Sequence, residues 1–483
     1  MNNDILDFKN YSIKDEILKA LNELSYKHPS KVQQEVIPLA LKRQDIVVKA
    51  ETGSGKTAAF AIPLCNLIDT EIKNPKALVL TPTRELAIQV KEDISNIGRH
   101  KKIRSSAIFG KQPFTTQINE LKQRVHIVVG TPGRIIDHIN RGTLVTDDIS
   151  FLVLDEADEM LNMGFLEQVE EILSSLPKNR INMLFSATMP DKIKEVYTKY
   201  MNNPKLIEIK PEGSKIDRIN QGYYLVKEAD KFSLLEKVLL KENPDSAILF
   251  CGTQDKVNEV YDKLKNKTYP VKELHGGMLQ KDRIKTLEDF KAGSYRFLVA
   301  TDIAARGIDV EKISLVINYD IPMEKEKYVH RIGRTGRAGN TGRALTFVSP
   351  YEDRFLKELE EYINYEIPKL TPPVKEDFLP NKESFKLKNE NFKNITIRNK
   401  KEVKAGITKI YLNGGKKKKI RPGDIVGALC KIPDVSIDDI GIIDVQENVS
   451  YVDILNGKGS KVLKALQTSK IKGKDLKAEI AKS

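Results

Sequence analysis

The chain has little of what would place it in a membrane, in a disulfide scaffold or around a structural metal. Nowhere in its 483 residues is there a stretch approaching the ~20 consecutive apolar residues a membrane span requires, which argues against a membrane partner. The polar opening, Met1 to Lys9, lacks the apolar run of a signal peptide, so a cytoplasmic location is expected. Its three cysteines, Cys65, Cys251 and Cys430, lie far apart, with no CxxC pair and no neighbouring histidines. Neither a disulfide framework nor a zinc site is indicated, and all three are expected as buried thiols. With 40% apolar and 30% charged residues the composition is that of a folding chain. At about 150 residues per domain the length suggests roughly three domains.

The charge is unevenly spread. Eighty Lys+Arg stand against 67 Asp+Glu, a formal +13, and from residue 401 onward 17 basic residues face 10 acidic ones, a surplus of +7. A mild surplus is commonly just a solvated lysine-rich face. Its concentration in one segment points to a polyanionic partner, nucleic acid above all.

Short apolar runs at 46–48, 77–81, 127–129, 151–154 and 183–186 alternate with amphipathic stretches, the rhythm of a parallel sheet flanked by helices. The same rhythm returns at 247–250, 297–300, 315–319 and 344–347, after a Pro- and Gly-containing junction at 202–217. A helix is expected over 352–362, and residues 368–403, rich in Lys, Asn, Glu and Pro, read as a linker. Beyond it lie apolar runs at 407–412, 440–445 and 451–455, helical patterns at 422–431 and 458–468, and a short strand near Leu476. That β-α-β-β-α-β order is a small split βαβ unit, a topology used by RNA-recognition domains. The expected fold is α/β, with parallel-sheet domains at 1–205 and 216–367 and a small α+β domain at 404–483.

The strongest chemical signal follows the first strand. Ala50-Glu51-Thr52-Gly53-Ser54-Gly55-Lys56-Thr57 leads into a helix pattern, so backbone N–H groups and a helix N-terminus aim at phosphate oxygens. Lys56 is placed to reach the β- and γ-phosphates and the Thr57 hydroxyl to hold Mg²⁺. The pattern departs from the usual one in having Ala50 where glycine is common. At the end of the run 151–154, Asp155 is the candidate metal-side carboxylate and Glu156 the candidate base for the attacking water. Without the phosphate loop, the two acids would read as a helix N-terminal cap.

Asp155-Glu156-Ala157-Asp158, with the ordered motifs around it, resembles the DEAD-box RNA helicases from residue 8 to about residue 350. The resemblance implies two tandem RecA-like domains and ATP as the nucleotide. Tyr26 would stack on adenine and Gln33 would read its edge, while Thr52, Gly53, Ser54, Gly55, Lys56 and Thr57 would hold phosphates and Asp309 the ribose. Pro82, Thr83, Arg84, Thr131, Pro132, Gly133 and Arg134 are similar to the RNA-backbone contacts of the first domain, and Gln280, Arg283 and Thr301 to those of the second. Where the family often has a Gly-Gly pair, Gly110 is followed here by Lys111, which puts the usual backbone geometry of that loop in doubt. Ser186 and Thr188, with Asp158 and His330, resemble the residues that link ATP state to RNA binding. Arg334 and Arg337 resemble arginine fingers acting on the γ-phosphate from the second domain, which would make hydrolysis depend on RNA.

The last unit, with Asn413-Gly414-Gly415 followed by Lys416, Lys417, Lys418 and Lys419, is similar to the RRM-like tail of the DbpA-type subgroup. That similarity implies large-subunit ribosomal RNA or pre-ribosomal particles as partner and local unwinding during ribosome assembly; a monomer is expected. The sheet offers Tyr411 and Tyr451 but no aromatic-rich strand, so the basic loop is the expected RNA contact. The rival readings are a general helicase of messenger RNA decay or cold adaptation, and an RNA clamp with vestigial hydrolysis. The folded third unit disfavours the first, and intact Lys56, Glu156, Arg334 and Arg337 disfavour the second.

Overall fold

The computed structural model describes residues 7–51, 53–209, 219–302, 313–336, 342–398, 408–467 and 469–481, with backbone alone for 393–398. The chain forms two compact units, one of residues 1–49, 54–208 and 402–483, the other of 50–53 and 209–401.

The first unit contains a seven-stranded parallel sheet: β1 (Ile46–Lys49), β2 (Ala77–Leu80), β3 (Ser105–Ile108), β4 (Ile127–Gly130), β5 (Phe151–Leu154), β6 (Ile181–Ser186) and β7 (Lys205–Glu208). Their order is β3-β4-β2-β5-β6-β1-β7, with every pairing parallel. Strands β2, β4, β5 and β6 are buried at every residue because helices cover both faces, so their sequences are continuous apolar runs. The two strands absent from the sequence reading, β3 and β7, are the sheet's edges. Ser-Ser-Ala-Ile alternates between half-open and buried positions, and Lys-Leu-Ile-Glu buries only Ile207, as edges with a wet side do.

The second unit repeats the plan with β8 (Ile219–Leu225), β9 (Ala247–Phe250), β10 (Val271–Leu274), β11 (Phe297–Ala300), β12 (Leu315–Asn318) and β13 (Gly342–Val348), ordered β10-β11-β9-β12-β13-β8 and all parallel. The overlooked strands, β8 and β10, are again the edges.

The segment expected as a linker is built onto this second sheet. Tyr223 N–H donates to Pro368 O at 3.0 Å, Leu370 N–H donates to Tyr223 O at 2.8 Å, and a Cβ on Gly222 would meet Leu370 at 2.5 Å. A helix then runs Lys382–Arg398 and buries Phe385, whose ring centroid lies 5.3 Å from Tyr269 and 6.2 Å from Phe297. Arg296, fully enclosed, sits 4.4 Å from the centre of the Phe385 ring and donates to Asn389 Oδ1 at 2.6 Å and Pro244 O at 2.8 Å. Phe385 and Asn389 are one helical turn apart, so a single stripe does the packing and the rest of the sequence stays polar. The remaining residues of the expected linker, 399–403, lie outside the described residues, as do 210–217 of the expected junction.

The small domain has β14 (Thr408–Leu412), β15 (Ile440–Val445), β16 (Ser450–Ile454) and, after a short hairpin of β17 (Lys470–Ile471) and β18 (Lys474–Asp475), β19 (Ala478–Ile480). The antiparallel order β15-β16-β14-β19, with helices Pro422–Leu429 and Gly459–Leu466, is the split βαβ arrangement expected. Cys65 and Cys251 are buried as expected. Cys430 is exposed, because it caps the C-terminal end of the first of these helices on its open side.

Candidate active site and RNA-binding surfaces

The phosphate loop leaves β1 and turns through Gly53 and Gly55, whose φ values of 78° and 95° are left-handed, before the helix Lys56–Leu67 begins. A Cβ on Gly55 would lie 2.6 Å from Gln33 Nε2 and 2.9 Å from Ser30 Oγ, so glycine is required by both conformation and space. Ser30 Oγ donates to Ser54 O at 2.8 Å, and Gln33 Nε2 donates to Gly55 O at 3.2 Å. Gln33 Oε1 accepts from the Ser30 N–H at 3.0 Å, closing a capping box. Gln33 is thus buried and turned toward the loop, while the expected base-stacking Tyr26 is half-buried and meets Phe8 edge-on at 6.3 Å. Thr52 lies outside the described residues. Lys56 is enclosed at the first helical position, with Thr57 half-exposed beside it.

Asp155, at the end of β5, is 2% exposed. Burial pushes its carboxyl up to about 7, with Lys56 opposing the shift and Glu156 adding to it. A carboxyl so placed is stabilised by an added cation, and its oxygens with the Thr57 hydroxyl are the hard donors that Mg²⁺ prefers. Glu156 takes φ 51° and ψ 53°, a left-handed conformation that costs a non-glycine residue about 1–2 kcal/mol. Its N–H donates to Asp155 Oδ1 at 3.1 Å, and its side chain is left partly open at the strand end.

Asp158 ties this acidic turn to the end of β6. Its Oδ2 accepts from Ala187 N–H at 3.1 Å, Thr188 N–H at 2.8 Å and Thr188 Oγ1 at 2.9 Å. Ser186 Oγ accepts from Asp158 N–H at 3.3 Å and donates to Thr188 O at 2.6 Å. Asp158, Ser186 and Thr188, expected as a set, therefore form one network.

The two RNA-type motifs of the first domain meet through a loop. Thr83 caps the helix Arg84–Ile97 by accepting from Leu86 N–H at 3.3 Å, and Pro82 is buried behind it. The Arg84 guanidinium lies 3.3 Å from where a Cβ on Gly110 would be. Arg134, on the helix Pro132–Asn140 that starts beyond Thr131, donates from NH1 to Gln112 O at 3.1 Å and Gln117 Oε1 at 2.8 Å. Gly133 leaves room for Gln168, whose Oε1 would stand 3.3 Å from an added Cβ. Gln117, fully buried, also donates from Nε2 to Phe109 O at 2.8 Å and Gln112 Oε1 at 2.7 Å. Lys111 takes φ 59°, so the loop has the glycine-type backbone despite the lysine.

In the second unit, Arg334 is buried and its Nε donates to His330 O at 3.1 Å. The preceding Arg331 grips Asp302 with two N–H groups and donates to Asp320 O at 2.7 Å, which fixes the start of the motif next to the buried Thr301. Asp320 in turn accepts from Gly252 N–H at 2.9 Å and from the enclosed Lys231 at 2.8 Å. Gln280 opens the helix Gln280–Lys291, on which Arg283 is buried. Asp309 and Arg337 lie outside the described residues.

On the third domain Lys416, Lys417, Lys418 and Lys419 are all exposed. Their backbone is held tightly: a Cβ on Gly415 would fall 2.1 Å from Gln446 O, Lys416 N–H donates to Gln446 O at 2.8 Å, and Lys417 N–H donates to Glu447 O at 2.9 Å. Lys474 and Lys472 donate to the carbonyls of Lys418 and Lys419 at 2.6 and 2.9 Å; Lys472 is also paired with Asp424 at 3.0 Å, so Lys474 is the further cation of the patch. Tyr411 and Tyr451 form a cross-strand pair, ring centroids 5.7 Å apart. The sequence reading gave no role to Ser30, Gln117 or Arg331. Ser30 carries a local signal, the Ser-x-x-Gln of a capping box, and Arg331 lies inside the motif of His330, Arg334 and Arg337, whereas Gln117 has none.

Residues 30–196 match the DEAD/DEAH box helicase family, 230–339 the helicase conserved C-terminal domain and 409–480 the DbpA RNA binding domain. The chain is 56% identical over 474 residues to the ATP-dependent RNA helicase DbpA of Bacillus subtilis, covering 98% of this chain and 99% of that one. It is 44% identical to the DEAD-box ATP-dependent RNA helicase CshA of Geobacillus kaustophilus, covering 77% and 80% of the two chains. Among solved structures, S. cerevisiae Dbp5 bound to RNA and ADP BeF3 superposes with a TM-score of 0.70 at 31% identity, over 80% of this chain and 99% of that one. With a phosphate loop, an acidic strand end and a basic third domain on one chain, and these likenesses along its length, the protein belongs to the DEAD-box ATP-dependent RNA helicases, with a DbpA-type RNA-binding domain at its end.

Proposed function

We propose that this helicase opens short duplexes in large-subunit ribosomal RNA during ribosome assembly, acting as a cytoplasmic monomer addressed by its third domain. The observation that carries this reading is the third domain itself. It is a folded unit whose lysines 416–419 stand in solvent on a backbone fixed by Gly415, and it holds a disproportionate share of the chain's positive charge. A rigidly displayed basic loop suits a structured RNA better than a generic one.

In the chemistry proposed, Lys56 and the loop N–H groups hold the ATP phosphates, and Thr57 and Asp155 would hold Mg²⁺, which supplies positive charge against the transferring phosphoryl group. Glu156 orients the attacking water and accepts its proton. Arg334 and Arg337 offset the charge that builds on the γ-phosphate. Thr83, Arg84, Thr131 and Arg134, with Gln280, Arg283 and Thr301, bind the RNA backbone without reading bases. The bonded set Asp158–Ser186–Thr188 offers a route by which nucleotide state and RNA grip influence one another.

The test compares ATPase rates on ribosomal RNA, its fragments and unrelated RNA for the full chain and for a chain lacking residues 404–483. The truncated enzyme should hydrolyse ATP with any RNA at saturation and show no preference for ribosomal RNA. A preference kept after truncation would move the address into the helicase domains.

A further inference from the structure

Lys231 opens the helix Lys231–Glu242 and is 1% exposed, the most enclosed lysine among the described residues, and no step proposed above uses it. A cation is out of place there twice over, since a helix N-terminus favours anions and burial strips the ammonium of water. Burial works against its charge, but Asp320 and Glu228, with oxygens 2.8 and 2.7 Å from Nζ, outweigh it and hold the group above the ordinary lysine range. Glu228 stands largely in solvent, whereas Asp320 is tied to the ends of the strands. Its Oδ1 accepts from Lys231 and its Oδ2 from Gly252 N–H at 2.9 Å. Gly252 lies in the loop that leaves β9, and Cys251 N–H donates to Ala300 O at 2.9 Å, so this loop runs beside Thr301 at the end of β11. Two residues on, Gln254 packs against the loop after β10, where a Cβ on Gly277 would fall 2.6 Å from Gln254 Oε1. That second loop leads to Gln280 and Arg283. Asp320 thus has two separate attachments: its carboxylate faces these loops, and its backbone O accepts from Arg331 at 2.7 Å, on the side that leads to Arg334.

We infer that Lys231 is a positioning residue for RNA: by clamping the Asp320 carboxylate it fixes Gly252 N–H, and with it the loops that align Gln280, Arg283 and Thr301. The inference rests on the proposed RNA role of those three residues. A buried ion pair stabilises little by itself, because desolvation offsets the attraction. What this one provides is a single orientation for a carboxylate that would otherwise turn to solvent and release the loop. Lys231 is enclosed and meets no phosphate, so its effect carries no salt dependence of its own. Arg331 is held by the Asp320 backbone and by Asp302, neither of which Lys231 controls, so the chemical step is spared.

The experiment measures ATPase rates of the full-length protein against oligouridylate concentration, at saturating ATP and below the melting temperature, over a series of KCl concentrations. Wild type is compared with Lys231→Met, Lys231→Gln and Gln280→Ala. Lys231→Met should raise the RNA concentration for half-maximal rate about fivefold, the worth of one lost hydrogen bond. Its kcat at saturating RNA should stay within about twofold of wild type, and the slope of log half-maximal concentration against log salt should not change. Lys231→Gln keeps an N–H donor toward Asp320, so it should lose only about twofold, and it carries the test if the methionine variant does not fold. Gln280→Ala should raise the half-maximal RNA concentration as well. Wild-type half-maximal concentrations in the folded Lys231 variants, whatever their melting temperatures, overturn the inference, as does a loss confined to kcat. A flattened salt slope would make Lys231 a phosphate contact and overturn it too. A wild-type RNA response in Gln280→Ala removes the RNA role of this surface, and the positioning by Lys231 with it.

Discussion

Asp158, in the first turn of the short helix Ala157–Asn162, and Lys417, in the 3-10 turn Lys416–Lys418, are both charged residues of one chain, and their surroundings are opposite. Asp158 is 4% exposed and takes three donors on a single carboxylate oxygen, whereas Lys417 stands in solvent and only its backbone is fixed. The first domain encloses the groups that must act on a small, exactly sized target, since bond making requires orientation that water would blur. The third domain leaves its charge hydrated and invests order in the main chain, through Gly415 and the Asp439 network. There burial would raise the Asp439 carboxyl, but Asn456, Lys458 and Ser436 hold it well below the usual range. In the function proposed, chemistry draws on side-chain burial and address on the shape of an exposed backbone.

Four variants sharpen or break that contrast. Glu156→Gln keeps the group's size and removes its basicity, so hydrolysis should slow by at least ~10²-fold while ATP and RNA binding persist, as measured by single-turnover kinetics beside equilibrium binding. Near-normal turnover would remove Glu156 as the base. Replacing Lys416, Lys417, Lys418 and Lys419 by alanine should weaken binding to ribosomal RNA roughly thirtyfold and flatten its salt dependence, with the melting temperature unmoved. If melting drops as well, the lysines are structural and the contrast fails. Asp158→Ala leaves three donors at Ala187 and Thr188 without their acceptor, so RNA stimulation of the ATPase should fall roughly tenfold and the protein should melt earlier.

The smallest effect concerns His138, which is fully enclosed, stacks on Phe114 at 4.0 Å and meets Gln117 Oε1 at 3.1 Å. Burial, with Arg134 beside it, holds the imidazole down at about 4. The unfolded chain takes up this proton near pH 6.5, so it binds more protons than the folded chain between about pH 6.5 and 4. The stability contributed by the neutral ring is complete above that window and is lost as pH falls through it. From pH 7 to 5 the wild type should lose roughly 1–2 kcal/mol more than His138→Gln, read from denaturant unfolding at each pH. Equal losses would show that the ring is hydrated.

Sequence made the centre of each sheet visible and hid its rim. Continuous runs such as Phe-Leu-Val-Leu in β5 announce strands buried on both faces, whereas β3, β7 and β10 are edges with only two apolar residues each, and the edge β8 is interrupted by Asn220, Gln221 and Gly222. The site followed a similar rule. Lys56, Asp155 and Glu156 were legible because local loop chemistry constrains them, and Asp158 with Ser186 and Thr188 because a known motif pairs them. Gln117 was not, since its partners Phe109, Gln112, Arg134 and His138 come together only after β3, β4 and two helices have packed. Arg296 and Phe385 were hidden for the same reason, being 89 residues apart in sequence.

The grip of Arg296 on Phe385 and Asn389 decides where this enzyme can be cut or recombined. A chain ended at residue 367 would strip the aromatic lid from a buried guanidinium and leave Phe297 and Tyr269 open to solvent, a lesion about as costly as losing a core phenylalanine, roughly 3–5 kcal/mol. A chain ended after Arg398 keeps that closure. The transplantable catalytic module therefore runs some thirty residues beyond its last strand-and-helix pair, and grafting a foreign address domain onto it is best done past that helix.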